Sequence, residues 1–302
     1  MNEPLIAGVE LGGTKGVALI ARGQEIVAQD RVPTTTPEET LGALSAWLEA
    51  RYTEMPFKAL GIASFGPLGL RPGRADYGHI TQTTKPHWSD ADVLGAFQRW
   101  FSGPIGFDTD VNGPALAEAL WGASQGCTAH VYLTIGTGVG GGLVVNGQPV
   151  HGMVHPEMGH VRVRRVAGDR FAGICPFHGD CLEGLVSGPA LAARTGIKGE
   201  ALTPDHPVWS SVAQEIAELL VSLILIASPE RIVIGGGVGM GQPFLFALIR
   251  DAVAARLNGY VAGLDRAALD AVIVPPGFGD RAGPLGAIVL GLRALQVSAS
   301  TT

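Results

Sequence analysis

A duplicated α/β protein holding its ligand between two halves is the fold class this sequence predicts, and three observations predict it. Strand-like and helix-like segments alternate along the chain. A unit of strand, glycine turn, strand, turn and strand occurs twice. The 302 residues, 46% of them hydrophobic, are ample for about two domains with buried cores.

The elements follow in order. Leu5 to Glu10 alternates little and reads as a buried strand; Gly12-Gly13-Thr14-Lys15-Gly16 turns it into a second, Val17 to Ile20. Arg22-Gly23 then turns into a third, Glu25 to Gln29. Pro37 to Arg51 is an amphipathic helix with Thr36 as N-cap and Pro37 at its first position. Ala59 to Ala63 is a strand, Ala91 to Phe101 a helix and Ile105 to Phe107 a short strand; Asn112 can cap a helix running to about Gly122. The first grammar then recurs at Val131 to Thr134, Gly136 to Gly142, Leu143 to Val145 and the Asn146-Gly147 turn. A slide of 124 positions sets Gly12 on Gly136, Gly16 on Gly140, Leu19 on Leu143 and Gly23-Gln24 on Gly147-Gln148. Two unrelated glycine-rich hairpins would give a similar pattern. Trp209 to Ala227 is a long buried helix, Arg231 to Ile234 a strand entering Gly235-Gly236-Gly237, and Ala282 to Leu295 a closing helix. The expected domains are 1–118 and 119–302, with the closing helix able to pack back on the first.

Composition narrows the function. A net charge of −6 with no long basic run argues against nucleic acid as main partner. Met1 to Val9 has no basic n-region, and the most apolar segment, Leu219 to Ala227, is too short to span a bilayer, so neither a targeting signal nor a membrane partner is expected. Three cysteines are too few for a disulfide framework, and a reducing cytoplasm is the expected compartment.

Forty-four glycines exceed ordinary usage and mark tight turns and close backbone–ligand approaches. Three glycine turns follow strands, at Leu11 to Lys15, Gly136 to Gly142 and Gly235 to Gly239. Backbone N–H groups in such turns bind phosphate oxygens. No Walker A pattern occurs, so the three together point to a nucleotide wrapped by both domains, although any one of them could serve hairpin twist alone. Asp110, in Phe107-Asp108-Thr109-Asp110-Val111-Asn112, leaves a strand and enters a helix, where the helix dipole favours an ionised carboxylate. Such a carboxylate can take a proton from a hydroxyl attacking a γ-phosphorus. From spacing alone, capping and turn roles account for Asp108, Asp110 and Asn112 better than a catalytic one.

The segment Cys175-Pro176-Phe177-His178-Gly179-Asp180-Cys181 spaces three soft ligands by three, and His160 lies upstream. Two thiolates and two imidazoles make a closed tetrahedral set suited to structural Zn²⁺. His151 and His155 compete with His160 for the fourth place, and Cys127 reads as core packing.

Several of these motifs together resemble the ROK family of sugar kinases and repressors. They are Leu11-Gly12-Gly13-Thr14-Lys15, Asp110-Val111-Asn112, Thr134-Ile135-Gly136-Thr137-Gly138-Val139-Gly140-Gly141-Gly142, His155-Pro156-Glu157-Met158-Gly159-His160 and Cys181-Leu182-Glu183. The resemblance runs over roughly residues 5 to 293. It implies an actin-like ATPase (ribonuclease H-like) fold with two domains around a cleft, Mg²⁺ with ATP, and a bound hexose. By their match, Asp110 would be the general base and Glu157, His160, Glu183 and Asn112 would face the sugar. Gly12, Gly13, Thr14, Lys15, Gly136, Thr137, Gly138, Gly236 and Gly237 would hold ATP. His160 also matches the family's zinc-bound histidine, beside Cys175, His178 and Cys181. Many family glucokinases carry Asp where this chain has Glu10, Asn where it has Thr109, and a third cysteine where it has His178. That combination, with Gly78-His79-Ile80-Thr81 to Pro86-His87-Trp88, is similar to the fructokinase branch. The expected activity is therefore ATP-dependent phosphorylation of D-fructose to fructose 6-phosphate. Glucokinase, mannokinase or N-acylhexosamine kinase activity are alternatives, and a non-catalytic sugar-binding sensor is another. The first strand begins near Leu5 and leaves no room for the repressors' DNA-binding helices. A homodimer is expected from the apolar second domain.

Overall fold

The computed structural model describes residues 3–300, so the outer limits of the expected domains lie outside the described residues. The strands are β1 (Leu5–Leu11), β2 (Lys15–Arg22), β3 (Glu25–Pro33), β4 (Leu60–Ser64), β5 (Ile105–Thr109), β6 (Ala129–Ile135), β7 (Val139–Val145), β8 (Gln148–Pro149), β9 (Arg231–Gly235) and β10 (Ile273–Val274). The helices are α1 (Pro37–Tyr52), α2 (Val93–Gln98), α3 (Asn112–Trp121), α4 (Leu182–Val186), α5 (Gly188–Thr195), α6 (Val208–Ala227), α7 (Gly236–Gly241), α8 (Leu245–Leu257), α9 (Leu269–Val272) and α10 (Ala282–Ser300). The chain divides into two compact units. One runs to Ala117 and adds Val150–His155 and the residues from Arg281; the other holds Glu118–Pro149 and Pro156–Asp280.

The first unit is a five-stranded sheet in the order β3-β2-β1-β4-β5. β1 is antiparallel to β2 and parallel to β4, which is parallel to β5. Helices cover both faces, which is why β4 is buried along its whole length. On one face α1 contributes Leu41, Leu44 and Leu48 to a core with Ala7, Val9, Leu11 and Ile62. Thr36 caps α1 by accepting the Glu39 N–H at 3.3 Å, with Pro37 at the first turn. On the other face α10 lies directly on backbone. A methyl group on Gly61 would stand 1.8 Å from the Ala287 carbonyl oxygen, and one on Gly106 would stand 2.2 Å from that of Leu290.

The second unit repeats this plan. Its sheet order is β10-β9-β6-β7-β8, which read backwards is the first order with every strand advanced by five. Each pairing keeps its sense. The 124-residue slide carries β1 onto β6 residue for residue. The following turn is one residue shorter, since Leu11 pairs with Gly16 but Ile135 with Val139. α4, α6 and α8 pack together over a core that includes Leu185, Ile216, Leu220 and Ile249.

Several local expectations change. α2 is shorter than 91–101, starting where Asp92 caps the Gly95 N–H at 2.7 Å. β5 extends to Thr109, and Asn112 is a helical residue, not a cap; Thr109 Oγ1 accepts its N–H at 3.0 Å. Gly140 to Gly142 lie in β7, so the second glycine turn is only Gly136–Gly138. Of these strand glycines, Gly141 permits close packing, because a methyl group there would meet Met158 Sδ at 2.5 Å. The third glycine run opens α7 and is not an extended loop. Cys127 is half-buried rather than in a core, beside Glu230 and Arg231, and burial raises its thiol pKa. α6 and residues Gly279–Ser300 are long and apolar enough to cross a membrane by length and composition, which revises the reading of Leu219 to Ala227 as too short. Half of each apolar stretch is buried: α6 against the second core, α10 against the first sheet.

Candidate functional site

In the first unit, Asp110 follows β5 directly. Its N–H donates to the Ser64 carbonyl at the end of β4 at 2.8 Å, so two parallel strands fix where this residue stands. α3 begins two residues later and turns its positive end to this loop. Asp108 is buried and accepts from Thr109 N at 2.7 Å and Asn112 Nδ2 at 2.8 Å. His151 Nε2 lies 3.1 Å from its other carboxylate oxygen, and this bond raises the imidazole pKa against the opposing effect of burial. Asn112 Oδ1 is buried and has no protein partner among the described residues.

The first glycine turn closes through Gly12 N to Lys15 O at 3.0 Å, and Thr34 Oγ1 donates to Gly12 O at 2.7 Å. Gly13, Thr14 and Lys15 are exposed on it. Glu10 is the last residue but one of the strand before this turn and lies near α10, where a methyl group on Gly283 would meet its carboxylate at 2.1 Å. Burial raises the Glu10 pKa, while Lys15 and Arg31 pull it down.

In the second unit the second and third glycine runs come together. Gly236 has φ +83°, and a methyl group there would stand 2.5 Å from the Ile135 carbonyl oxygen, so only glycine fits. A cavity of 680 Å³ opens beside them, lined by Gly136, Thr137, Gly237, Pro189, Lys198 and Gln242 among others. That volume lies within the range of small-molecule and cofactor sites, ~300–1,000 Å³. Gly138 stands on the same turn, where Gly136 N donates to its carbonyl at 2.9 Å. Lys198 and Gln242 were not found from the sequence, because neither belongs to a strand–glycine pattern.

Glu157 precedes the 3₁₀ turn Met158–His160 and accepts the His160 N–H at 3.0 Å. The residue keeps solvent contact, yet the protein around its carboxyl excludes enough water to raise its pKa to about 7, with the nearby Glu183 charge adding to the shift. Glu183 lies in the first turn of α4, and its Oε2 accepts the Val139 N–H at 3.0 Å.

His160, Cys175, His178 and Cys181 gather with one ligand atom from each, all within 4.8 Å of one another. His160 Nδ1 lies 3.7 Å from Cys175 Sγ and 3.6 Å from Cys181 Sγ, and His178 Nδ1 lies 3.6 Å from Cys175 Sγ. Tetrahedral Zn²⁺ with ordinary bond lengths sets sulfur and nitrogen about 3.5–3.6 Å apart, so the donor set fits that ion. Burial lifts the Cys181 thiol to about 11, and a divalent cation would make its thiolate the stable form. His151 and His155 are engaged elsewhere, His155 Nε2 accepting the Leu68 N–H at 3.0 Å. The loop is moored by charge. Arg165 bonds Asp169 at 2.9 Å and Asp180 at 3.2 Å, while Arg194 bonds Asp169 and, at 2.9 Å, the fully buried Glu215.

Comparison with known proteins gives consistent results. The model of the ROK family matches residues 6–294. A fructokinase of Zymomonas mobilis is 46% identical, over 97% of this chain and 98% of its own. A fructokinase of Pediococcus pentosaceus is 41% identical, over 97% and 99%. Among solved structures, a ROK hexokinase from Thermus thermophilus superposes with a TM-score of 0.79 at 27% identity, over 98% of this chain and 99% of that one.

Proposed function

The chain belongs to the ROK family, and we propose that it is an ATP-dependent fructokinase, converting D-fructose and ATP to fructose 6-phosphate and ADP. The observation that carries this reading is similarity over nearly the full length to relatives that are themselves fructokinases. The base in this reading is Asp110, which lies between the end of β5 and the start of α3. Asp110 takes the proton of the fructose 6-hydroxyl as that oxygen attacks the γ-phosphorus, and ADP leaves in line. Backbone donors of Gly12, Gly13, Gly136, Gly138, Gly236 and Gly237, with Thr14, Lys15 and Thr137, hold and neutralise the phosphates. Mg²⁺ bound with ATP supplies further charge stabilisation of the transferring group.

Sugar hydroxyls are held by Asn112, Glu157, His160 and Glu183. Asn112 Oδ1 is a buried acceptor available to one of them. His160 serves two partners, since Nδ1 faces the thiols and Nε2 remains for a hydroxyl. A structural Zn²⁺ held by His160, Cys175, His178 and Cys181 would fix the segment that presents Glu157 and His160. The reading extends to a cytoplasmic homodimer, for which Leu225, Ile226 and Tyr260 offer exposed apolar surface on the second unit.

The test is ADP release with Mg²⁺–ATP across fructose, glucose, mannose and N-acetylglucosamine, with Asp110→Asn as control. Fructose should dominate, and the variant should lose about 10²–10⁴-fold in kcat while still binding nucleotide. Preference for another sugar would discard fructose and keep the kinase. Near-wild-type turnover in the variant would remove Asp110 as the base.

A further inference from the structure

The turn Gly136–Gly138 is closed by Gly136 N donating to Gly138 O at 2.9 Å and held at its start by Gly188 N donating to Gly136 O at 2.7 Å; at its far end one carboxylate outside it supplies a further fixed point. Glu183 Oε2 accepts the Val139 N–H at 3.0 Å, and a methyl group on Gly138 would stand 2.7 Å from that same oxygen. The helix bearing Glu183 follows directly on Cys181, one of the four clustered His/Cys residues, and Leu182 N donates to Val161 O at 3.0 Å beside His160. The carboxylate that reaches the turn therefore stands directly after the His/Cys loop.

We propose that Glu183 is a positioning residue for nucleotide, holding the Gly136–Gly138 turn in the shape that receives phosphate; this rests on the kinase reading above. Glycine turns lose more conformational freedom on ordering than other segments, so an external hydrogen bond that orders the turn beforehand strengthens binding. A charged acceptor makes that bond stronger than a neutral one. Sugar contact, the role the family resemblance gives Glu183, does not require a bond to Val139. The two roles therefore separate when no sugar is present.

The experiment is titration of wild-type and variant protein with the Mg²⁺ complex of a β,γ-imido ATP analogue, without sugar. Glu183→Ala should weaken binding about tenfold, the size expected for a lost hydrogen bond to a charged group. Glu183→Gln keeps an acceptor oxygen and removes the charge near the phosphates, so it should bind within about twofold of wild type. Gly138→Ala should resemble Glu183→Ala, because its methyl group displaces the carboxylate, and the double variant should be no worse than either single one. If Glu183→Ala binds the analogue as tightly as wild type and only its KM for fructose rises, the positioning role is overturned and the kinase reading stands. Wild-type protein that binds no analogue overturns the kinase reading, and this inference with it.

Discussion

Asp108 accepts from three donors at once, which gives this carboxylate a structural task distinct from the base role proposed for Asp110. A buried carboxylate persists only when such partners replace water. The sequence identified the loop but not the division of labour, because Asp108, Asp110 and Asn112 are all competent caps. The deciding partner, His151, stands 43 positions away with no periodicity linking the two. Its protonated form is favoured in the folded state by the Asp108 bond. The pair's contribution is therefore complete below the unfolded imidazole pKa near 6.5 and is lost as pH rises through the higher folded value. His151→Gln should lower the melting temperature more at pH 6 than at pH 9. An equal loss at both would mean that the imidazole contributes by packing alone.

The loop Arg165–Cys181 shows at the scale of an element what spacing can and cannot reveal. Cysteines and histidine spaced by three in a Gly/Pro segment announce a ligand set, and three of the four positions are readable directly. The fourth was ambiguous because three histidines lie upstream; folding assigns His155 to Leu68 and His151 to Asp108, and brings His160 to the thiols. Arg165 finds Asp169 and Asp180 within the loop itself, but the pair of Arg194 with Glu215 leaves no trace in spacing, since it joins α5 to α6 across 21 positions. Burial raises the Glu215 carboxyl pKa while Arg194 opposes it, so this mooring depends on both partners. One Zn²⁺ per chain is expected by elemental analysis, and Cys175→Ala or Cys181→Ala should lower metal content and melting temperature together. Protein that is metal-free yet equally stable and active would end the zinc assignment. The glycine run 136–142 looks like a single turn in sequence, whereas Gly140–Gly142 belong to β7. Composition does not separate a glycine needed for turning from one needed for closeness, and Gly141 is of the second kind.

At the scale of the molecule, the two sheets share one topology with strands advanced by five; the repeated grammar predicts this duplication, and the family resemblance predicts the actin-like ATPase fold it belongs to. The duplication is legible because both halves keep the same strand–glycine turn–strand opening, whereas the strand order within each sheet is not. Nor are the helix contacts, because they depend on missing side chains: Gly61 and Gly106 admit α10 to backbone contact. Gly61→Val should therefore cost about 3 kcal/mol or somewhat more, at the top of the overpacking range, in equilibrium unfolding. Loss below about 1 kcal/mol would show that α10 can shift without penalty.

The helix that covers the first sheet also sets a timetable. β4 ends at Ser64 and α10 starts at Ala282, an interval of 282 − 64 = 218 positions. At synthesis rates of roughly 5–20 residues per second, that face of the sheet waits roughly 10–40 s for its cover. The second unit is translated entirely within the wait. The half of the protein that begins first is thus the half that finishes last, and its uncovered sheet is the surface a nascent chain must keep from its neighbours on the ribosome.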